Sequence, residues 1–385
     1  MYNCSNAFHA AIANNNEQKA LLIFSDCVFT DEDINIDRGI TFNDNFNMEE
    51  NLSIGQATSN ETRFSLINRN RQLNGYAFGD FQMLIGVYLN STTYSSNTGE
   101  LIRCVDGSNT YIGYSTYPYL KRNGAAVSTQ PSAPFTSILA YDGKVYCFCA
   151  NGTYKVYTSS TGVDVTSSNV MNGFMQNKSA QWTGKGIQYG KDTHLMKVWQ
   201  GGEIRNWEFC PWGCFTAERP KAPDKIQIDF TCYDYMLKFD KDMTEISINF
   251  PITIQNLFIA LSDAVLGSNQ YVLPSTFING DAVINSRPDD FDNVTAREVL
   301  KWIAEAAASN ARFNRDGKLI LDWIRTGTGI VLGPGNYIEF NPYWYETKKV
   351  TKLYNRDTHG NTQKTCGSGD EGYLIQDNPL LKGVS

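Results

Sequence analysis

The chain has 385 residues, of which 42% are hydrophobic and 19% charged, with a net charge of −7 and a pI near 5.1. At about 100–200 residues per domain, this predicts two or three domains with true apolar cores. No segment is a run of Lys and Arg. The acidic balance therefore argues against a groove that grips nucleic acid by its phosphates, though not against a channel through which DNA slides.

The opening stretch, MYNCSNAFHAAIANNNEQKA, has no basic region followed by an apolar core, so no signal peptide is read. No apolar run approaches the roughly 18–20 residues of a membrane span. Nine cysteines at scattered spacings, and Asn-x-Ser/Thr matches at Asn3, Asn60, Asn90, Asn151 and Asn293, do not amount to a disulfide framework. The thiols are expected to be free and made in a reducing cytoplasm.

Residues 4–13 predict a short helix with Phe8, Ala11 and Ile12 on one face. Short strands then follow, with turns every ten or so residues: 21–29, 34–46 around Arg38-Gly39, 61–70 with Phe64 and Leu66 facing one way, and 81–89. Such spacing predicts a barrel or sandwich. From about residue 94 the composition shifts to Ser, Thr, Gly and Tyr. In 137–159, Asp142-Gly143 and Asn151-Gly152 separate three alternating segments, which predicts a three-stranded meander.

The texture changes again near residue 212. Alternation through Ile226, Ile228 and Phe230 predicts a strand that turns into a helix by 237. Pro251 opens a helix with a stripe of Ile254, Leu257, Phe258, Leu261 and Val265, closed by Gly267. Residues 295–310 predict a second helix, with a capping box of Thr295 and Glu298 and a stripe of Val299, Leu300, Ile303 and Ala307. A hairpin turning at Asp316-Gly317 follows, and 345–355 and 371–376 read as further strands. The expected class is α+β, mostly β. The expected domains are 1–95, a first β-barrel region; 96–210, an inserted all-β domain; and 211–385, the completion of the first barrel, a helical α+β portion and a second β-barrel.

No constellation of catalytic residues emerges, and no catalytic, cofactor or metal site is expected. His9, His194 and His359 lie far apart, with no two-ligand spacing. Cys147-x-Cys149 and Cys210-x3-Cys214, the latter around an expected turn at Pro211-Trp212-Gly213, lack the usual zinc-knuckle spacing and read as packing residues. Asp289, Asp290 and Asp292 read as acidic charge before a helix N-terminus, since an EF-hand's spaced ligands are missing. Gly327, Gly329, Gly333 and Gly335 are not followed by Lys-Ser/Thr and read as turns. Glu49-Glu50 are sequence neighbours and do not face each other as a glycosidase pair must. Tyr111, Tyr114, Tyr117 and Tyr119, with Trp182 and Trp199, have two readings: β core, or a surface that stacks on sugar rings.

Three segments carry a resemblance. They are IQIDFTCYDYMLKFDKDM (226–243), FPITIQNLFIALSDAVL (250–266) and TAREVLKWIAEAAASNARFNRDGKLIL (295–321). Tyr233, Asp234, Met236, Lys238 and Asp240, then Arg297, Glu298, Ile303 and Ala304, then the turn Asn314-Arg315-Asp316-Gly317-Lys318, resemble the tail hub proteins of long-tailed phages. The opening residues, 19–46, are similar to the first barrel of these proteins. The resemblance covers roughly 1–95 and 212–385 and leaves 96–210 as an insertion. It implies a homotrimeric ring of paired β-barrels at the tail tip, joining or closing the tube around the DNA channel. Implied partners are the tail tube, distal tail, tape measure and tip or fibre proteins; glycan contact by the insertion is an expectation from its aromatics alone. The implied place is the virion tail tip, after assembly in the host bacterial cytoplasm. The chain stops at DNPLLKGVS, where the family continues into further strands, so the last barrel is expected to be truncated or supplied otherwise.

Overall fold

A computed structural model describes the chain except residues 1–3, 25–27, 36, 44–53, 72, 142, 152, 159–161, 164–180, 223–225, 289–290, 323–351, 357–361, 368–371, 376–377, 379 and 381–385. The protein is mostly β with few helices, and its main sheet is a curled half-barrel. Two compact units share the chain: Met1–Thr41 with Arg63–Cys232, and Phe42–Thr62 with Tyr233–Ser385.

The first unit opens on α1 (Asn6–Ala13), capped by the Ser5 side chain, which accepts from Phe8 N. The strands that follow are β1 (Gln18–Phe24), β2 (Val28–Thr30), β3 (Thr41–Asn43), β4 (Glu61–Ile67) and β5 (Asp80–Thr93). Next come β6 (Glu100–Asp106), β7 (Asn109–Tyr114), β8 (Leu120–Arg122) and β9 (Ala125–Ala126). The meander follows as β10 (Phe135–Tyr141), β11 (Lys144–Cys149) and β12 (Tyr154–Thr158), then β13 (Gly162–Val163). The last are β14 (Gly186–Gly190), β15 (Leu195–Gln200), β16 (Glu203–Lys221) and β17 (Gln227–Asp234). The meander has the expected three strands. Of its two turn dipeptides, Asp142 and Gly152 lie outside the described residues, while Gly143 has the positive φ (+69°) that favours glycine.

The main sheet runs β13-β12-β11-β10-β14-β15-β16-β17-β4-β3, with β5 also paired to β16 and β1 paired to both β5 and β2. β5 and β16 form a long antiparallel ribbon, and at its end Thr93 faces Glu203 while Tyr94 N donates to Gly202 O (2.9 Å). Residues 95–201 thus leave and return at adjacent points of one hairpin. Pro211-Trp212-Gly213 is not a turn: β16 runs through it, and the register slips between Pro211 and Gly213. A bulge tolerates a proline that cannot donate to the ladder, which is why the turn reading failed.

The stretch between the two ribbon strands has a core of its own. A four-stranded sheet, β6-β7-β8-β9, places Ile102, Cys104, Tyr111 and Leu120 in one cluster with Ile138, Ala140, Cys147 and Trp199 of the main sheet. The approach is close. A Cβ added to Gly186 would lie 1.7 Å from the Arg103 carbonyl oxygen, so only glycine fits there.

In the second unit, β17 runs into a 3-10 helix (Tyr235–Asp240), so the expected helix forms as the tighter kind. Ile226 is 60% exposed, and only Ile228 and Phe230 of its trio are buried. α2 (Ile254–Leu266) is capped by Thr253 and ends at Gly267 (φ +88°). It buries Ile254, Leu257, Phe258 and Leu261 of its predicted stripe, while Val265 is half-buried against the same core. α3 (Ala296–Ala306) is capped by Thr295, which accepts from Glu298 N (3.3 Å). The expected capping box is only half made, because the Glu298 carboxylate turns to Lys301 Nζ (3.2 Å).

The described strands here are β18 (Ile252–Thr253), β19 (Tyr271–Val272), β20 (Val283–Ile284), β21 (Asn310–Phe313) and β22 (Leu319–Asp322), then β23 (Lys352–Arg356), β24 (Thr362–Gly367) and β25 (Gly372–Ile375). Both helices share one core with the β21–β22 hairpin. The segment around Ala57 adds to the edge of β21, with Ala311 N donating to Gln56 O (2.7 Å) and Thr58 N to Ala311 O (3.1 Å).

Candidate functional site

The residues that carried the resemblance come together in the second unit. Asp234 is 2% exposed and caps the 3-10 helix, its Oδ1 accepting from Met236 N (3.1 Å) and from Ser59 Oγ (2.9 Å). Its Oδ2 accepts from Asn60 N (2.9 Å). Burial raises the Asp234 carboxyl to about 6, against the lowering effect of these donors and of Arg297. Arg297 on α3 reaches the same helix. Its Nη2 donates to Met236 O (2.9 Å), and its Nε lies 2.9 Å from Asp240 Oδ1 as a charge pair, without hydrogen-bond alignment. Lys238 Nζ sits 4.0 Å from the centre of the Tyr235 ring. At the hairpin turn, Asn314 Oδ1 accepts from Asp316 N (3.0 Å) and Lys318 N (2.9 Å). Five of these contacts fix backbone, at Met236 N and O, Asn60 N, Asp316 N and Lys318 N.

A second site lies in the first unit, on the concave face of the curled sheet. Two cross-strand rows form it, Leu139–Ile187–Val198–Arg205 and Tyr141–Tyr189–Met196–Trp207, each in register across β10, β14, β15 and β16. Leu21, Ile23, Val28 and Thr30 of β1 and β2 close the other side. They enclose a cavity of about 110 Å³. The alternation of strands explains its lining: Ile138 and Ala140 point to the core above, while Leu139 and Tyr141 point to the cavity.

Polar groups sit at its rim. Lys19 Nζ lies 3.4 Å from Asp31 Oδ2 and 3.8 Å from Glu17 Oε1. Arg205 Nη2 donates to Glu17 Oε2 (2.5 Å), and Lys185 Nζ lies 3.7 Å from Glu32 Oε1. Lys19 and Arg205 also lie 5.3 and 5.4 Å from the Trp207 ring centre. Asp31 Oδ1 is buried and accepts no hydrogen bond.

The residues singled out in the sequence are dispersed. His9 stands on α1 with its ring 6.0 Å from that of Phe8, and His194 Nδ1 meets Tyr189 Oη (3.0 Å). His359, Glu49-Glu50, Asp289-Asp290 and the glycines 327–335 lie outside the described residues. Asp292 pairs with Arg287. Cys147 and Cys149 share the core with Cys104, and burial pushes Cys104 up to about 12 and Cys147 well above the usual thiol range. Cys210 is buried and Cys214 half-buried, both on β16. Among the described residues, no cluster of His, Cys, Asp and Glu is suited to a metal, and no helix is long and apolar enough to cross a membrane.

Of the six aromatics weighed as sugar platforms, Tyr111 and Trp199 are core residues and Tyr117 is 72% exposed. Tyr114 lies under Lys121, whose Nζ is 4.8 Å from the ring centre. Tyr119 packs on the core edge, and Trp182 lines the cavity. Sequence reasoning missed Tyr141, Tyr189 and Trp207. Their signal was alternation in three separate strands, which marks a face but not its neighbours.

No family model and no curated protein matches the chain. Among solved structures, it is similar to a 43 kDa tail protein of prophage MuSo2 from Shewanella oneidensis, at a TM-score of 0.32 and 9% identity, over 93% of this chain and 72% of that one. It is also similar to the prophage tail protein gp18 from Listeria monocytogenes EGD-e, at a TM-score of 0.26 and 11% identity, over 49% of this chain and 59% of that one.

Proposed function

We propose that this chain is a structural protein of a phage tail, a hub subunit that assembles as a homotrimeric ring at the tail tip. The observation that carries the reading is the assembly of Asp234, Arg297 and the Asn314 turn, all hub-like in sequence, into contacts made mostly to backbone. Residues that brace a scaffold suit a ring subunit. In this reading the ring joins or closes the tail tube, helps form the DNA channel, and contacts other tail proteins. Residues 96–210 form an inserted domain that faces outward. The chain carries no catalysis. Two other readings are a tail-associated cell-wall hydrolase, and a receptor protein that recognises glycans through the insertion.

Quantitative mass spectrometry of purified parent particles tests the proposal. The expected result is the chain present at three copies for each copy of a protein known to occur once per tail ring. Absence from the particle, or a copy number that is not a multiple of three, contradicts it. A zymogram on cell walls separates the hydrolase reading: a lysis band from this chain alone would favour it over the hub.

A further inference from the structure

We propose that the cavity on the concave face of the first unit's sheet binds the ring of a neutral sugar. The inference stands on the cavity alone. A chain that binds no sugar leaves the hub reading untouched, and the reverse holds too.

Size comes first. A cavity of about 110 Å³ holds roughly eight water-sized molecules, which is small-ligand rather than peptide scale. Its floor is aromatic. Tyr141 and Tyr189 stack with centroids 5.9 Å apart and 27° between planes, and Trp182 joins them in the lining. The flat C–H face of a pyranose suits such a surface, because apolar contact there leaves the sugar's equatorial hydroxyls pointing sideways to the rim.

Charge selects among ligands. The rim brings three cations, Lys19, Lys185 and Arg205, against three acids, Glu17, Asp31 and Glu32, and each cation lies within 4.0 Å of an acid. No net charge is left for an ionic ligand to neutralise, which disfavours acidic sugars and phosphates. Hydrogen bonding fits a neutral ligand too: the Gln200 amide, in the lining, offers both donor and acceptor to a sugar hydroxyl.

The test uses the full chain and a panel of neutral probes, namely glucose, galactose, rhamnose, N-acetylglucosamine and N-acetylgalactosamine, read by saturation-transfer NMR and tryptophan fluorescence. At least one neutral sugar is expected to bind in the millimolar range. Tyr141→Ala is expected to weaken that sugar about tenfold or more. Gln200→Ala, on a side chain at the rim, serves as the variant least able to disturb folding and is expected to weaken it several-fold. Binding of none of the five sugars overturns the proposal. So does binding that both variants leave unchanged, or binding confined to acidic probes such as glucuronic acid or to an apolar dye.

Discussion

Replacing Asp234 by Asn separates the charge of this residue from its hydrogen bonds. The carboxylate accepts from Met236 N and Ser59 Oγ on one oxygen and from Asn60 N on the other. An amide keeps one acceptor, so either Asn60 N–H faces another N–H or the other two donors do. Leaving one such buried donor unmet costs about 1–3 kcal/mol. Against this, burial raises the folded-state pKa from 3.8 to about 6. The ionised form is therefore disfavoured in the folded chain by about 3 kcal/mol at neutral pH, and the amide removes that cost. A carboxyl raised on folding contributes stability that is complete below the unfolded value and lost as pH rises through about 6. Between pH 7.5 and 5 the native protein should regain about 1 kcal/mol from this group, and Asp234→Asn should regain nothing from it. Urea unfolding of both proteins at the two pH values measures the difference. They should lie within about 2 kcal/mol of each other at pH 7.5, and native should pull ahead by about 1 kcal/mol more at pH 5. Parallel stability curves across this range would show that Asp234 does not titrate there, and the account of its environment would fail.

Gly186→Ala should destabilise the first unit by about 3 kcal/mol or more, because the new methyl meets the Arg103 carbonyl oxygen and not a movable side chain; a midpoint within error of the native chain in denaturant unfolding would contradict the close packing of β6 on β14. Residue-resolved alkylation of the native chain should modify the half-buried Cys4 and Cys214 before Cys104 and Cys147, whose burial holds them protonated; early labelling of Cys147 would count against that core. Joining Thr93 to Glu203 through a two- or three-residue turn, in place of the residues between, should give a soluble chain that still unfolds cooperatively, since the two positions already face each other across the ribbon. Aggregation of that product would mean that the intervening residues and the first strands form one inseparable core.

The helices of the second unit were legible because each has an apolar stripe with its own start and stop: Thr253 to Gly267 around Leu257 and Leu261, and Thr295 onward around Val299 and Ile303. The meander was legible for the same local reason. What local pattern does not encode is pairing between distant strands. Nothing in residues 80–93 or 203–221 says that Thr93 will face Glu203, or that β15 will pair along β16 opposite β5. The cavity was hidden by the same ignorance. Tyr141, Tyr189 and Trp207 are ordinary alternating residues in their own strands, and they meet only once three registers are set. Trp199 and Tyr111 were open to both readings, core or sugar platform, and strand parity turns both into the core. At Pro211, a residue that usually ends strands sits in a bulge, and the turn reading lost to tertiary pairing.

Cryo-electron microscopy of the parent particle, with the chain traced in the tail-tip density, tests the central proposal most directly. The account predicts three copies around the tail axis as a closed ring at the end of the tube, with the 96–210 stretch on the outside. One copy, a ring of another order, or a position on the side of the tail or in the head would contradict it.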